Sequence, residues 1–170
     1  MNVDLRFRAN VWLDLRRPLP FSSDSCVFIY TEQFLEHLDY PEPADTLLAE
    51  CRRVLQERGT LGVFIPDSEL VLESYVNGGT EEYYVAQKRY SRSCPWGETQ
   101  MEYVNHSFRQ GGRYRFSSDF ETLKKLLETR SLVNVQRSSF DPAIDSERPK
   151  IRSLYVTCQK LDNAAGGQSA

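Results

Sequence analysis

Two apolar runs bracket a helical pattern between residues 26 and 67, and this order constrains the fold more than any other feature of the chain. The first run is Cys26-Val27-Phe28-Ile29-Tyr30 and the second is Thr60-Leu61-Gly62-Val63-Phe64-Ile65, closed by Pro66-Asp67. Between them Leu47, Leu48, Cys51, Val54 and Leu55 recur at helical spacing behind Pro43, a residue suited to a first helical turn. Arg52, Arg53 and Arg58 complement the dipole at the far end, where Gly59 is expected to stop the helix. A strand, a crossover helix and a second strand make a parallel pair. Continuous apolar runs suit such strands when both faces are covered. The expectation is an α/β fold with a mainly parallel sheet.

The flanks extend that pattern. "NVDL" (2–5) and "NVWLDL" (10–15) are strand-like pieces ahead of a turn with Pro18 and Pro20. Thr31 is placed to cap a short helix carrying Phe34, Leu35 and Leu38. Residues 68–116 break the rhythm. "ELVLESYV" and "TEEYYVAQKRY" read as helices divided by Asn77-Gly78-Gly79, and a loop with Trp96, Gly97, Asn105, His106, Gly111 and Gly112 follows. Six of the nine Tyr lie between 75 and 114. Such an aromatic insertion is a place for a lid or substrate pocket, or a small subdomain packed by its own rings. Ser118 with Glu121 reads as a capping box ahead of Phe120, Leu123 and Leu127. "LVNVQ" (132–136) alternates like an edge strand, and "SLYVTC" (153–158) is its expected antiparallel neighbour. Residues 1–160 are thus read as one domain, with 68–116 as its lid and 161–170 as a disordered tail.

Composition narrows the function. At 170 residues with 40% hydrophobic and 26% charged residues, the chain suits one globular domain. A net charge of −3 gives no electrostatic case for nucleic acid, although sixteen Arg against five Lys leaves room for planar contacts with anions. The four Cys form no C-x-x-C and the chain has two His, so a structural metal site is not expected. Cysteines in apolar patterns, with no signal peptide and no run of the ~20 apolar residues a membrane span needs, point to the cytoplasm.

One ordered set of residues carries a family resemblance: Asp4, Asp14, Leu19-Pro20-Phe21, Leu35-Glu36-His37-Leu38, Arg53-Val54-Leu55, Gly59 and Pro66-Asp67. In that order they resemble the class I S-adenosylmethionine-dependent methyltransferases, in particular the type 11 methyltransferase-like group. The match covers residues 2–67 and extends loosely over 120–127 and the "SLYV" strand. It implies a Rossmann-like sheet with a helical insertion after the fifth family strand, and S-adenosylmethionine as cofactor. Asp4, Asp14, Leu15, Thr31 and Glu32 are the cofactor-binding positions so implied. A carboxylate at Asp4 suits the ribose diol, one at Asp14 the adenine amino group, and the Leu15 N–H a ring nitrogen. His106 and His37 are the candidate bases. His106, Arg109 and Arg113 are the candidate substrate residues, if they are not a solvated basic loop. His37 reads more simply as a buried structural histidine, with Glu36 holding it or capping backbone groups.

Two departures qualify the resemblance. Cys26-Val27-Phe28 stands where many relatives carry Asp. The family's first strand and its Gly-rich turn have no counterpart ahead of Asp4, so the sheet is expected to be N-terminally truncated. Its open edge invites self-association, a partner strand or a rearranged pairing. The acceptor is unspecified. Two functions stay open: methyl transfer, or a degenerate, non-catalytic methyltransferase-like domain that acts as an interaction module or is a gene fragment. A nucleotide-binding domain of another kind is more distant, since no phosphate loop is present.

Overall fold

The computed structural model describes residues 3–4, 11–78, 94, 96–145 and 153–161. β1 (Val3–Asp4) and β2 (Val11–Trp12) pair in parallel, with Val3 beside Val11 and Asp4 beside Trp12. A separate four-stranded sheet has the order β3-β4-β6-β5. Its strands are β3 (Cys26–Glu32), β4 (Leu55–Pro66), β5 (Leu132–Arg137) and β6 (Ser153–Lys160). β3 and β4 are parallel, joined through helix α1 (Glu42–Val54). β6 lies antiparallel between β4 and β5. Among the described residues the remaining α-helices are α2 (Ser68–Val76), α3 (Gln100–Arg109) and α4 (Phe120–Thr129). The parallel strand–helix–strand unit and the antiparallel pair at the far edge are as the sequence predicts.

Helical spacing dictates the core. Leu47, Leu48 and Cys51 of α1 and Leu123, Leu126 and Leu127 of α4 share one buried cluster with Leu61, Val63 and Ile65 of β4 and Leu154, Val156 and Cys158 of β6. Burial of each large aliphatic side chain contributes on the order of 1.5–3 kcal/mol. Strand alternation sends Gly62 and Phe64 to the opposite face. There Phe64 stacks on Tyr155 at 4.5 Å between ring centroids. Tyr30 lies across Gly62, where a Cβ would come within 2.7 Å of its ring, and its hydroxyl donates to the buried Asp145 carboxylate.

Five expectations need correction. β3 is not covered on both faces: Val27 is 68% and Phe28 44% exposed, and among the described residues β3 pairs with β4 alone. Helix α1 ends at Val54 and passes directly into β4, so Gly59 does not cap it. Residues 56–59 instead bulge between the pairs Cys26–Leu55 and Phe28–Thr60, and a Cβ on Gly59 would lie 2.8 Å from the Gln56 carbonyl. Thr31 caps nothing, because it is still inside β3, and the segment beyond is one 3₁₀ turn, Leu35–His37. The predicted loop around His106 is largely helix α3, set by a capping box in which Thr99 accepts from the Glu102 N–H and Glu102 returns to the Thr99 N–H. Ser118 does not cap α4; Asp119 does, accepting from the Thr122 N–H at 2.8 Å. "TEEYYVAQKRY" and residues 162–170 lie outside the described residues.

Candidate functional site

β3 and β4 are parallel, so their C-terminal ends, Glu32 and Pro66, open on the same side of the sheet. This is where ligands sit in open α/β sheets. Past Pro66, Asp67 caps α2 by accepting from the N–H groups of Glu69 and Leu70, and Arg137 approaches its carboxylate at 3.5 Å. Past Glu32, Gln33 adopts φ +49° while its N–H reaches the Phe64 carbonyl at 2.8 Å. The Thr31 Oγ1 and Gln33 Nε2 atoms are buried there without a hydrogen-bond partner among the described residues. Buried polar atoms without a partner are uncommon in folded proteins.

The 3₁₀ turn then inverts the expected roles of Glu36 and His37. Glu36 is 4% exposed, and neither carboxylate oxygen has a partner among the described residues. Burial pushes its carboxyl up to about 8. It lines a cavity of about 20 Å³ together with Leu35, Leu38, Tyr40, Phe116 and Leu126. That volume holds roughly one water molecule. Tyr40 and Phe116 stack at 4.1 Å and wall one side. The segment after α3 is pinned here, since the N–H groups of Arg115 and Phe116 both donate to the Glu36 carbonyl. His37, by contrast, is exposed; its Nδ1 donates to the Arg113 carbonyl at 3.0 Å, and its ring meets Tyr114 edge-on.

The other predicted residues do not gather into one loop. His106 is buried on α3, edge-on to Trp96 at 6.3 Å. Arg109 closes that helix with an exposed side chain, and Arg113 is exposed beside His37. The helix separates residues that lie close together in sequence. Asp14 follows β2, and both of its oxygens bond to the Arg16 guanidinium at 2.8 Å. That guanidinium holds the Asp14 carboxyl down at about 2. Asp4 ends β1, alongside Trp12. Leu15 sits in the turn after β2 and packs against the core, and Glu32 closes β3. Among the described residues no group of three His, Cys, Asp or Glu is placed to hold a metal, and no helix is long and apolar enough to cross a membrane. Sequence reasoning missed Glu36 as a site. Its only sequence signal is an acid enclosed by Leu35 and Leu38.

No protein-family model and no curated protein matches the chain. Solved structures do match it. A SAM dependent methyltransferase from Archaeoglobus fulgidus superposes with a TM-score of 0.55 at 16% identity, over 93% of this chain and 74% of that one. A chain from the Haloferax volcanii complex of the Trm112 methyltransferase activator gives 0.51 at 13% identity, over 88% and 60%. An exported-protein candidate from Bordetella parapertussis gives 0.56 at 9% identity, over 89% of this chain and 44% of its own length. The chain thus spans less than two thirds of the last two. Its sheet order, its antiparallel β6 and these superpositions together give it an open, Rossmann-like α/β fold similar to that of SAM-dependent methyltransferases.

Proposed function

We propose that the protein binds S-adenosylmethionine at the C-terminal ends of its parallel strands and transfers the methyl group to an acceptor chosen by residues 68–116. The observation that carries this reading is the pair of orphaned polar atoms, Thr31 Oγ1 and Gln33 Nε2, on the strand end where this fold takes its ligand. A cofactor rich in hydroxyl and amino groups fits that polarity. Asp4, Asp14, Leu15, Thr31 and Glu32 are the residues that would hold it, with Gln33 added by its position. When bound, the cofactor supplies an electrophilic methyl on a sulfonium. The chain's part is to orient the two reactants and exclude water. Asp14 would exchange one of its Arg16 bonds for the adenine amino group. Four free cysteines, three of them buried, support a reducing cytoplasmic setting. Equilibrium dialysis of labelled S-adenosylmethionine tests the reading. Saturable binding that Asp4→Ala or Thr31→Val weakens supports it, and a folded chain that retains no label overturns it.

A second reading rests on β3. An edge strand with Val27 and Phe28 exposed is a template for pairing. The domain would then act as a non-catalytic interaction module, two copies associating along β3. Sedimentation distinguishes this: a dimer that Phe28→Lys dissociates supports it, and a monomer at high concentration refutes it.

A further inference from the structure

Glu36 has no structural task that explains its burial. Its side chain is 4% exposed and, among the described residues, both oxygens are unpartnered and the cavity it lines carries no cationic side chain. Among the described residues Tyr40 is the one other titratable group in that lining, and Ser117 and Ser118 are its remaining polar side chains. Arg115 approaches from the neighbouring segment through its backbone, while its exposed guanidinium turns to Asp39 at 4.0 Å. His37 on the same turn points outward. The rest of the wall, Leu35, Leu38, Leu126 and Phe116 among it, is apolar. A buried carboxyl group that meets no cation among the described residues, beside a water-sized space inside an apolar wall, matches an ammonium head entering that space with its alkyl stem directed outward. A divalent metal is a poor match, since it requires several oxygen ligands and the lining offers one carboxylate.

We infer that the Glu36 cavity is a binding site for a primary alkylammonium group, and that the acceptor anchored there is an amine-bearing small molecule. The acceptor assignment rests on the methyltransferase reading; the ammonium site does not. The position agrees, because Ile65 and Pro66 at the end of β4 line the same cavity. Binding would ionise Glu36, which burial keeps protonated at neutral pH, and so release a proton.

The probe is methylammonium chloride, titrated into the full chain at pH 7 against equal potassium chloride. Calorimetry is run in two buffers of different ionisation enthalpy. A ligand of two non-hydrogen atoms is expected to bind with a Kd of roughly 5 mM at best. About one proton should be released per site, since a group with its pKa one unit above the solution pH is about nine-tenths protonated. In the wild-type chain the Glu36 Cδ carbon resonance should move to its ionised position on saturation. Glu36→Gln should abolish both responses. If that variant does not fold, the wild-type carbon resonance decides alone. No response beyond that to potassium chloride, an unmoved Glu36 resonance, or an equal response in Glu36→Gln overturns the site. S-adenosylhomocysteine is titrated in parallel. Its binding without methylammonium binding leaves the methyltransferase reading standing and removes the amine site. The reverse result keeps the site and removes the methyltransferase reading.

Discussion

Replacing Glu36 by Gln should change how stability depends on pH. The carboxyl rises from its ordinary 4.5 to about 8 because burial disfavours its charge. Between those values the folded chain keeps a proton that the unfolded chain has released, so stability falls as pH rises through the interval. At 1.36 kcal/mol per pK unit, the gap amounts to ~5 kcal/mol by about pH 8, an upper figure if water enters the cavity. That is comparable with the whole stability of a small domain, ~5–15 kcal/mol. Gln removes the titration and keeps the shape, at a constant offset for its own buried amide. Urea unfolding of both proteins from pH 4 to 9 reads the difference. The wild type should lose stability relative to Glu36→Gln by several kcal/mol, mostly between pH 5 and 8, and then level off. Parallel profiles would refute the reasoning and mean that Glu36 is solvated or paired in solution.

The remaining predictions probe packing, capping and charge. Leu48→Ala, at a side chain with no exposure, should cost about 2–5 kcal/mol by urea unfolding. Gly62→Ala should push the Tyr30 ring off Asp145 and lower stability by roughly 1–3 kcal/mol, with a changed near-ultraviolet spectrum as the check. Asp67→Ala removes the α2 cap and should cost about 0.5–2 kcal/mol, measured in the same way. Arg16→Ala should let the Asp14 carboxyl climb from about 2 towards its ordinary 3.8, read by carbon-detected NMR titration.

Period and punctuation made most of the fold legible. The stripe at Leu47, Leu48, Cys51 and Val54 specifies α1 because an apolar face at that spacing can only be buried as a helix against a sheet. The apolar run of β3 was misleading. Apolar residues say that a strand wants cover, and in this chain Val27 and Phe28 lack it. The sequence offers Gly59 as a helix stop and Gly111-Gly112 as loop punctuation. Gly59 in fact answers a tight approach of the Gln56 carbonyl, and the pair follows a helix fixed by Thr99 and Glu102. The candidate site was legible only as a region. Which of Glu36 and His37 turns inward depends on the phase of a three-residue 3₁₀ turn, which no periodicity that short encodes.

The measurement that bears most directly on the central claim is a calorimetric titration of the full chain with S-adenosylhomocysteine, folding being verified by cooperative urea unfolding of the same sample. The account predicts saturable one-site binding that Asp4→Ala abolishes while the variant remains folded. A cooperatively folding chain that gives no heat of binding would contradict it, leaving a methyltransferase-like fold without its cofactor site.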